Sequence, residues 1–250
     1  MGVKLEYIGW STFLFTANDG TKMITDPFFS GNEFYKIAPS TSNVKDINVD
    51  LIICSHCAED HCAQAFEIMD NNEKTKLLGD LSMLALAEIN GYGNMWQGRT
   101  ELITGGAAYT MGDFTIHATS ARHIALRKLD NGSYITGEPL CYIIQINNGP
   151  TCFFGGDTSI TYDMKLWGEL FKPDIAFIGI GGADLNGRCL SELDPKTAAM
   201  CVNMLGAKKV IPMHYRLEED LKDFRKHLGD ICPDCELISM KPNDIIDLTL

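Results

Sequence analysis

The chain has 250 residues, 45% hydrophobic and 22% charged with 23 glycines, a composition that builds a buried core and leaves no disordered half. With 33 acidic and 21 basic residues the formal net charge is −12, so the averaged field repels polyanions and argues against a nucleic-acid partner. No apolar run approaches the roughly 18 residues of a membrane span, and the start MGVKLEYIGW lacks the basic and apolar regions of a signal peptide; a cytoplasmic protein with no membrane partner is predicted.

Short strands are predicted at residues 3–8, 12–16 and 22–25, the last two joined by a tight turn at Asn18-Asp19-Gly20, which makes a meander. Residues 49–54 (VDLIIC) are a continuous apolar run, as in a buried central strand, and they deliver the chain into Ser55-His56. A helix at 63–69, a strand at 76–78 and a helix at 81–89 stopped by Gly91-Tyr92-Gly93 follow. Strands then resume at 101–103, 108–111 and 113–118, with a loop over 119–137 and a hairpin of 141–146 and 151–154 that ends at Gly155-Gly156-Asp157. Strands and helices alternate afterwards: helix 164–170, strand 175–180, helix 195–205, strand 209–212, helix 218–227 and short closing strands. Asp194-Pro195 makes a good helix start, a capping carboxylate followed by proline. The repeated order, meander then β/α alternation, suggests two similar halves sharing one core; no linker divides them, so residues 1–250 are expected to form one domain.

Nine cysteines are an odd count, scattered rather than arranged as a disulfide framework, and read as reduced thiols. Cys232-Pro233-Asp234-Cys235 lacks the second pair that a zinc ribbon needs and reads as a turn.

Four of the six histidines, His56, His61, His123 and His214, fall at or just beyond predicted strand ends, where α/β proteins place ligand groups. One such histidine is ordinarily structural, but that reading would have to hold four times over. The segment Ser55-His56-Cys57-Ala58-Glu59-Asp60-His61 offers two imidazoles and a carboxylate within six residues, ligand types suited to zinc, manganese or iron. His117 on a strand and His227 near a helix C-terminus are left outside the site, and the methionines of residues 200–204 are read as helical core.

These residues resemble the metallo-β-lactamase superfamily, whose signature after the equivalent strand is His-x-His-x-Asp-His. The likeness continues in order through His123 in ATSARHIA, Asp157 in CFFGGDTS and His214 in VIPMHYR. Within the superfamily the chain looks most like metal-dependent hydrolases related to ascorbate-6-phosphate lactonase, by Asp26-Pro27-Phe28, Gly155-Gly156-Asp157-Thr158 and Pro212-Met213-His214-Tyr215. The resemblance implies an α/β, four-layer αββα sandwich, two mixed sheets flanked by helices, with the metal centre at one edge. It also implies one metal position made by Asp60, His61 and His214, a second by His56 and His123, and Asp157 bridging the two.

Two departures stand out. Ala58 replaces the second histidine of the signature, so the second position has lost a ligand; Cys57, Glu59, Cys54 and Cys62 lie near enough in sequence to be weighed as substitutes. Trp10 stands where relatives often carry histidine, implying altered contacts behind the ligands. The function expected is hydrolysis of a small anionic ester, lactone or phosphodiester through metal-activated water, with zinc or manganese as cofactor and Asp60 as the catalytic carboxylate. The alternative is a degenerate relative serving as a binding or regulatory module. Arg122, Arg188 and Arg216 are candidates to hold a substrate anion, residues 179–188 read as a rim loop, and homo-oligomerisation stays open.

Overall fold

The computed structural model describes residues 2–94, 97–182 and 192–248. Its first sheet runs, in spatial order, Ile245–Leu248, Val3–Gly9, Thr12–Thr16, Lys22–Thr25, Leu51–Ile53, Lys76–Gly79 and Thr100–Leu102. The second runs Glu236–Leu237, Lys209–Met213, Ile175–Gly179, Thr151–Phe154, Leu140–Ile146, Phe114–Ser120 and Ala108–Met111. Each sheet is antiparallel through its meander and parallel where helices intervene, so the repeated order predicted from sequence becomes two mixed sheets.

Strand alternation builds the layers. Along Leu140–Ile146, Leu140, Tyr142, Ile144 and Ile146 enter the core between the sheets, while Cys141 and Ile143 face the helices Asp163–Phe171, Pro195–Leu205 and Glu218–Ile231. The helices Ala65–Asn71 and Leu81–Ile89 cover the outer face of the first sheet in the same way. Phe13, Phe15, Phe154 and Phe177 interlock between the sheets, with Phe13 and Phe177 edge to face at 4.9 Å; each such ring contributes roughly 1.5–3 kcal/mol by burial. Polar cross-links then register the sheets at the end where the strand Leu51–Ile53 finishes: the Tyr142 hydroxyl donates to the Cys54 carbonyl at 2.7 Å and the Leu140 amide to the Ser55 carbonyl at 2.8 Å.

Three expectations are corrected. The helix predicted at 63–69 runs over Ala65–Asn71, preceded by a separate short helix Glu59–Cys62; Gln64 between them leaves helical geometry and its side-chain oxygen takes the Phe29 amide at 2.6 Å. The loop predicted over 119–137 contains a separate hairpin, Ala125–Lys128 with Tyr134–Gly137. Its strands alternate in burial, but the exposed positions include the apolar Leu126 and Tyr134 and the inward ones the polar Arg127. Met200 is 40% exposed, since the buried stripe of its helix is made by Ala198, Ala199, Cys201, Val202 and Leu205.

The Asp194 cap forms as expected, its carboxylate accepting the Thr197 amide at 2.7 Å. Cys232–Cys235 is a turn, closed by the Cys235 amide on the Cys232 carbonyl at 3.0 Å. Among the described residues no helix is long and apolar enough to cross a membrane. Residues 183–188 of the predicted rim loop, Arg188 included, and Cys189 lie outside the described residues.

Candidate metal centre

The strand Leu51–Ile53 releases the chain into Ser55 and His56, and Ala58 caps the short helix that carries Asp60 and His61. The strand Thr151–Phe154 leads to Asp157, Phe114–Ser120 to His123, and Lys209–Met213 to His214. These ends meet at one edge between the sheets because the glycines there allow close approach. Gly156 has φ +50°, and a Cβ on it would sit 2.5 Å from Ser55 Cβ, so only glycine lets the two halves touch at this point.

All six ligand candidates named from sequence come together, in two clusters that share Asp157. Asp60, His61, Asp157 and His214 present four donor atoms within 4.8 Å of one another, and His56, His123 and Asp157 do the same. In the first cluster His61 Nε2 and His214 Nε2 each lie 3.2 Å from Asp157 Oδ2 and 3.5 Å from Asp60 Oδ2. In the second, His123 Nε2 lies 3.6 Å from Asp157 Oδ2, and His56 Nδ1 lies 3.0 Å from Ser55 Oγ. The Nε2 atoms of His56, His61 and His214 are buried and make no directed hydrogen bond. Buried orphans of this kind are costly, and a cation among nitrogen and carboxylate donors would satisfy them, so the residues fit a divalent ion.

Sequence reasoning missed what holds these donors. Asp26 is fully buried and its Oδ2 lies 2.8 Å from His61 Nδ1; accepting a hydrogen bond from Nδ1–H leaves the Nε2 lone pair aimed at the cluster. The same carboxylate accepts the Ser55 amide at 2.6 Å and the Ser55 hydroxyl at 2.7 Å. Burial pushes Asp26 above the usual carboxylate range, against the pull of His61 and Ser55. Glu192 stands behind His214, 3.7 Å from its Nδ1. Trp10, at φ +54°, donates its indole N–H to Asp60 Oδ2 at 3.1 Å and lays its ring 4.0 Å from that of His214. The altered contacts expected at Trp10 are therefore a clamp on two members of one cluster. The Asp26-Pro27-Phe28 motif was visible in sequence, but its partner Ser55 is 29 residues away.

None of the substitutes weighed for the absent imidazole joins either cluster among the described residues. Cys54 and Cys57 are fully buried, Cys62 Sγ donates to the Cys57 and Ala58 carbonyls, and Glu59 is exposed. Arg122 and Arg216 are exposed, and Arg216 Nη1 donates to the Tyr35 carbonyl. His117 is held away from the centre by Gln145, with Nε2 2.9 Å from Oε1.

Without a cation, protons take its place. Burial pulls the His214 imidazole down, but Asp157, Asp60 and Glu192 outweigh it and carry it from 6.5 up to about 10. Asp157, despite its burial, is held well below the usual carboxylate range by His214 and His61. A raised folded-state value stabilises the chain fully below the unfolded value and loses that contribution as pH rises through the folded one. The metal-free protein should therefore lose stability between pH 6.5 and about 10, while cation binding tightens over the same window as the competing proton leaves. Thermal midpoints of chelator-stripped protein should show the decline, and His214→Gln should reduce it, leaving the share of His61, which Asp157, Asp60 and Asp26 raise against its burial; a pH-independent midpoint in the unsubstituted chain would contradict the pairing.

The sequence pattern of the beta-lactamase superfamily domain matches residues 4–214. A UPF0173 metal-dependent hydrolase of Nitratidesulfovibrio vulgaris is 31% identical over 99% of this chain and 96% of its own length. Igni18, a metallo hydrolase from the archaeon Ignicoccus hospitalis, superposes with a TM-score of 0.77 at 22% identity over 100% of both chains. The metallo-beta-lactamase fold protein YhfI from Bacillus subtilis superposes with a TM-score of 0.71 at 15% identity over 98% of each chain. At such identities the two structural likenesses show the fold alone, whereas the sequence matches extend to the family. The chain therefore belongs to the beta-lactamase superfamily, among its metal-dependent hydrolases.

Proposed function

We propose that this chain, folded as one domain over residues 1–250, hydrolyses a small anionic ester, lactone or phosphodiester in the cytoplasm. One divalent cation, zinc or manganese, is held by Asp60, His61, Asp157 and His214. The observation that carries this reading is the convergence within 4.8 Å of two carboxylates and two buried imidazole Nε2 atoms that make no directed hydrogen bond. A cation bound there polarises the substrate's carbonyl or phosphoryl oxygen and brings the pKa of water towards neutrality.

The rest of the chemistry belongs to the side chains. Asp60 is the least buried member, its side chain 32% exposed against 0–8% for the other three, so it faces incoming substrate. Trp10 engages Oδ2 of Asp60, which leaves the other oxygen to orient the attacking water and take its proton. His123, whose side chain is 11% exposed, stands beside Asp157 where it can pass a proton to the leaving group. Thorough chelation should abolish hydrolysis of a panel of lactones and phosphodiesters; turnover that survives it would sink the proposal.

Ala58 decides the stoichiometry. His56, His123 and Asp157 lack the imidazole that the family signature places at this position, so the second cation binds weakly. Reconstituted protein should hold one ion per chain by elemental analysis, and Ala58→His should raise that to two. Two tightly held ions in the unsubstituted chain would contradict this assignment.

A further inference from the structure

Beside the centre lies a groove of about 390 Å³ that the hydrolase chemistry above does not use. Trp10 forms part of its wall while also touching His214 and Asp60, so a single indole separates groove from centre. Phe28 and Tyr215 add aromatic surface, and Lys36, Arg216 and Lys241 add three cations against one acid, Glu218. In a chain of net charge −12, that local balance is reversed.

The cations are placed rather than scattered. Arg216 Nη1 donates to the Tyr35 carbonyl at 3.3 Å, the peptide that leads into Lys36, so two positive side chains flank one peptide bond. Lys36 sits at φ +56°, a conformation that costs energy for any residue with a side chain. Its turn is closed by the Lys36 amide on Glu33 at 3.1 Å and by the reciprocal Asn32–Ile37 pair at 2.8 Å each way. Gly31 fixes the return of this loop, since a Cβ there would lie 2.5 Å from Pro39 N.

Among the described residues two lysines pair with acids, Lys76 with Glu101 and Lys222 with Glu219. No such pair forms at Lys36, Arg216 or Lys241 among the described residues. Asp220, which feels Arg216, turns its Oδ2 to the Leu217 amide at 3.3 Å, and Asp244 takes the backbone amide of Lys241 at 2.7 Å. Gathering three cations around one groove against the acid Glu218 is unfavourable, and a bound anion offsets it.

We infer that this groove is the anion subsite: it takes the part of the substrate remote from the scissile bond, a flat apolar group ending in a carboxylate or phosphate. Lys36, Arg216 and Lys241 meet the anion, and Phe28, Trp10 and Tyr215 line the apolar body. The inference rests on the hydrolase reading for what is bound, but its test does not depend on turnover.

The full chain, freed of metal and dialysed, is titrated by ligand-observed NMR with 2-naphthoate, 2-naphthyl phosphate and the neutral 2-naphthamide. At least one anion should bind tenfold or more tightly than the amide, and whichever anion binds tighter names the terminal group. Lys36→Ala/Arg216→Ala should bring that anion to the amide's level. Lys36→Gln/Lys241→Gln, at two exposed side chains and with the Arg216 bond to the Tyr35 carbonyl left in place, should weaken it at least threefold. Asp157→Ala should leave anion binding unchanged while removing metal and hydrolysis, so failure of the hydrolase reading and failure of the groove are read separately. Equal binding of anions and amide, insensitivity to both double variants, or loss of anion binding in Asp157→Ala would each overturn the inference.

Discussion

Asp157→Ala should remove bound metal and hydrolysis together. Its Oδ2 is the one atom common to both clusters, 3.2 Å from His61 and His214 and 3.6 Å from His123. Removing it takes a donor from each position at once. Loss of a partner behind a ligand typically costs 10–100-fold in metal affinity, so loss of a shared ligand should cost on the order of 10³-fold or more by extension of that scale. The measurement is metal content by elemental analysis beside initial rates, with circular dichroism to establish that the chain folds. A folded Asp157→Ala protein that keeps stoichiometric metal would show that the cation is held elsewhere.

Asp26 should matter nearly as much, although it touches no cation. The carboxylate is fully buried and serves three donors: the Ser55 amide, the Ser55 hydroxyl and His61 Nδ1. Asp26→Ala strands all three, and breaking a buried pair from one side costs about 3–5 kcal/mol. It also places alanine at φ +36°, where asparagine is better tolerated. Asp26→Asn should therefore fold with a smaller loss of about 1–3 kcal/mol, yet bind metal some 10–100-fold more weakly, because the amide no longer fixes the His61 ring as a carboxylate does. Denaturant unfolding and competitive chelator titration measure the two effects. Unchanged metal affinity in Asp26→Asn would remove Asp26 from any role in aiming His61.

Much of this site was legible in the residues because strands announce their own ends. The run before Ser55, the hairpin ending at Asp157 and the approach to His214 each combine buried apolar residues with an abrupt polar stop, and the structure gathers those stops at one edge. What sequence left dark depends on tertiary contact. Nothing local ties Asp26 to Ser55 or Glu192 to His214, and Trp10, a visible departure from the family's histidine, shows what it holds only once its indole is seen on Asp60. The hairpin Ala125–Lys128 with Tyr134–Gly137 escaped notice because most of its side chains are exposed or half-buried, so hydrophobic alternation, the signal for a strand, is nearly absent. The break at Gln64 was equally hidden, since it answers to the Phe29 amide rather than to helix propensity.

Anomalous diffraction from crystals of the metal-loaded chain, recorded at the zinc and manganese edges, tests the assignment most directly. A strong peak should stand among His61 Nε2, His214 Nε2 and the carboxylates of Asp60 and Asp157, at coordination distances of about 2.0–2.2 Å, with a far weaker one beside His56 and His123. A peak absent from the first position, or full occupancy confined to the second, would contradict it.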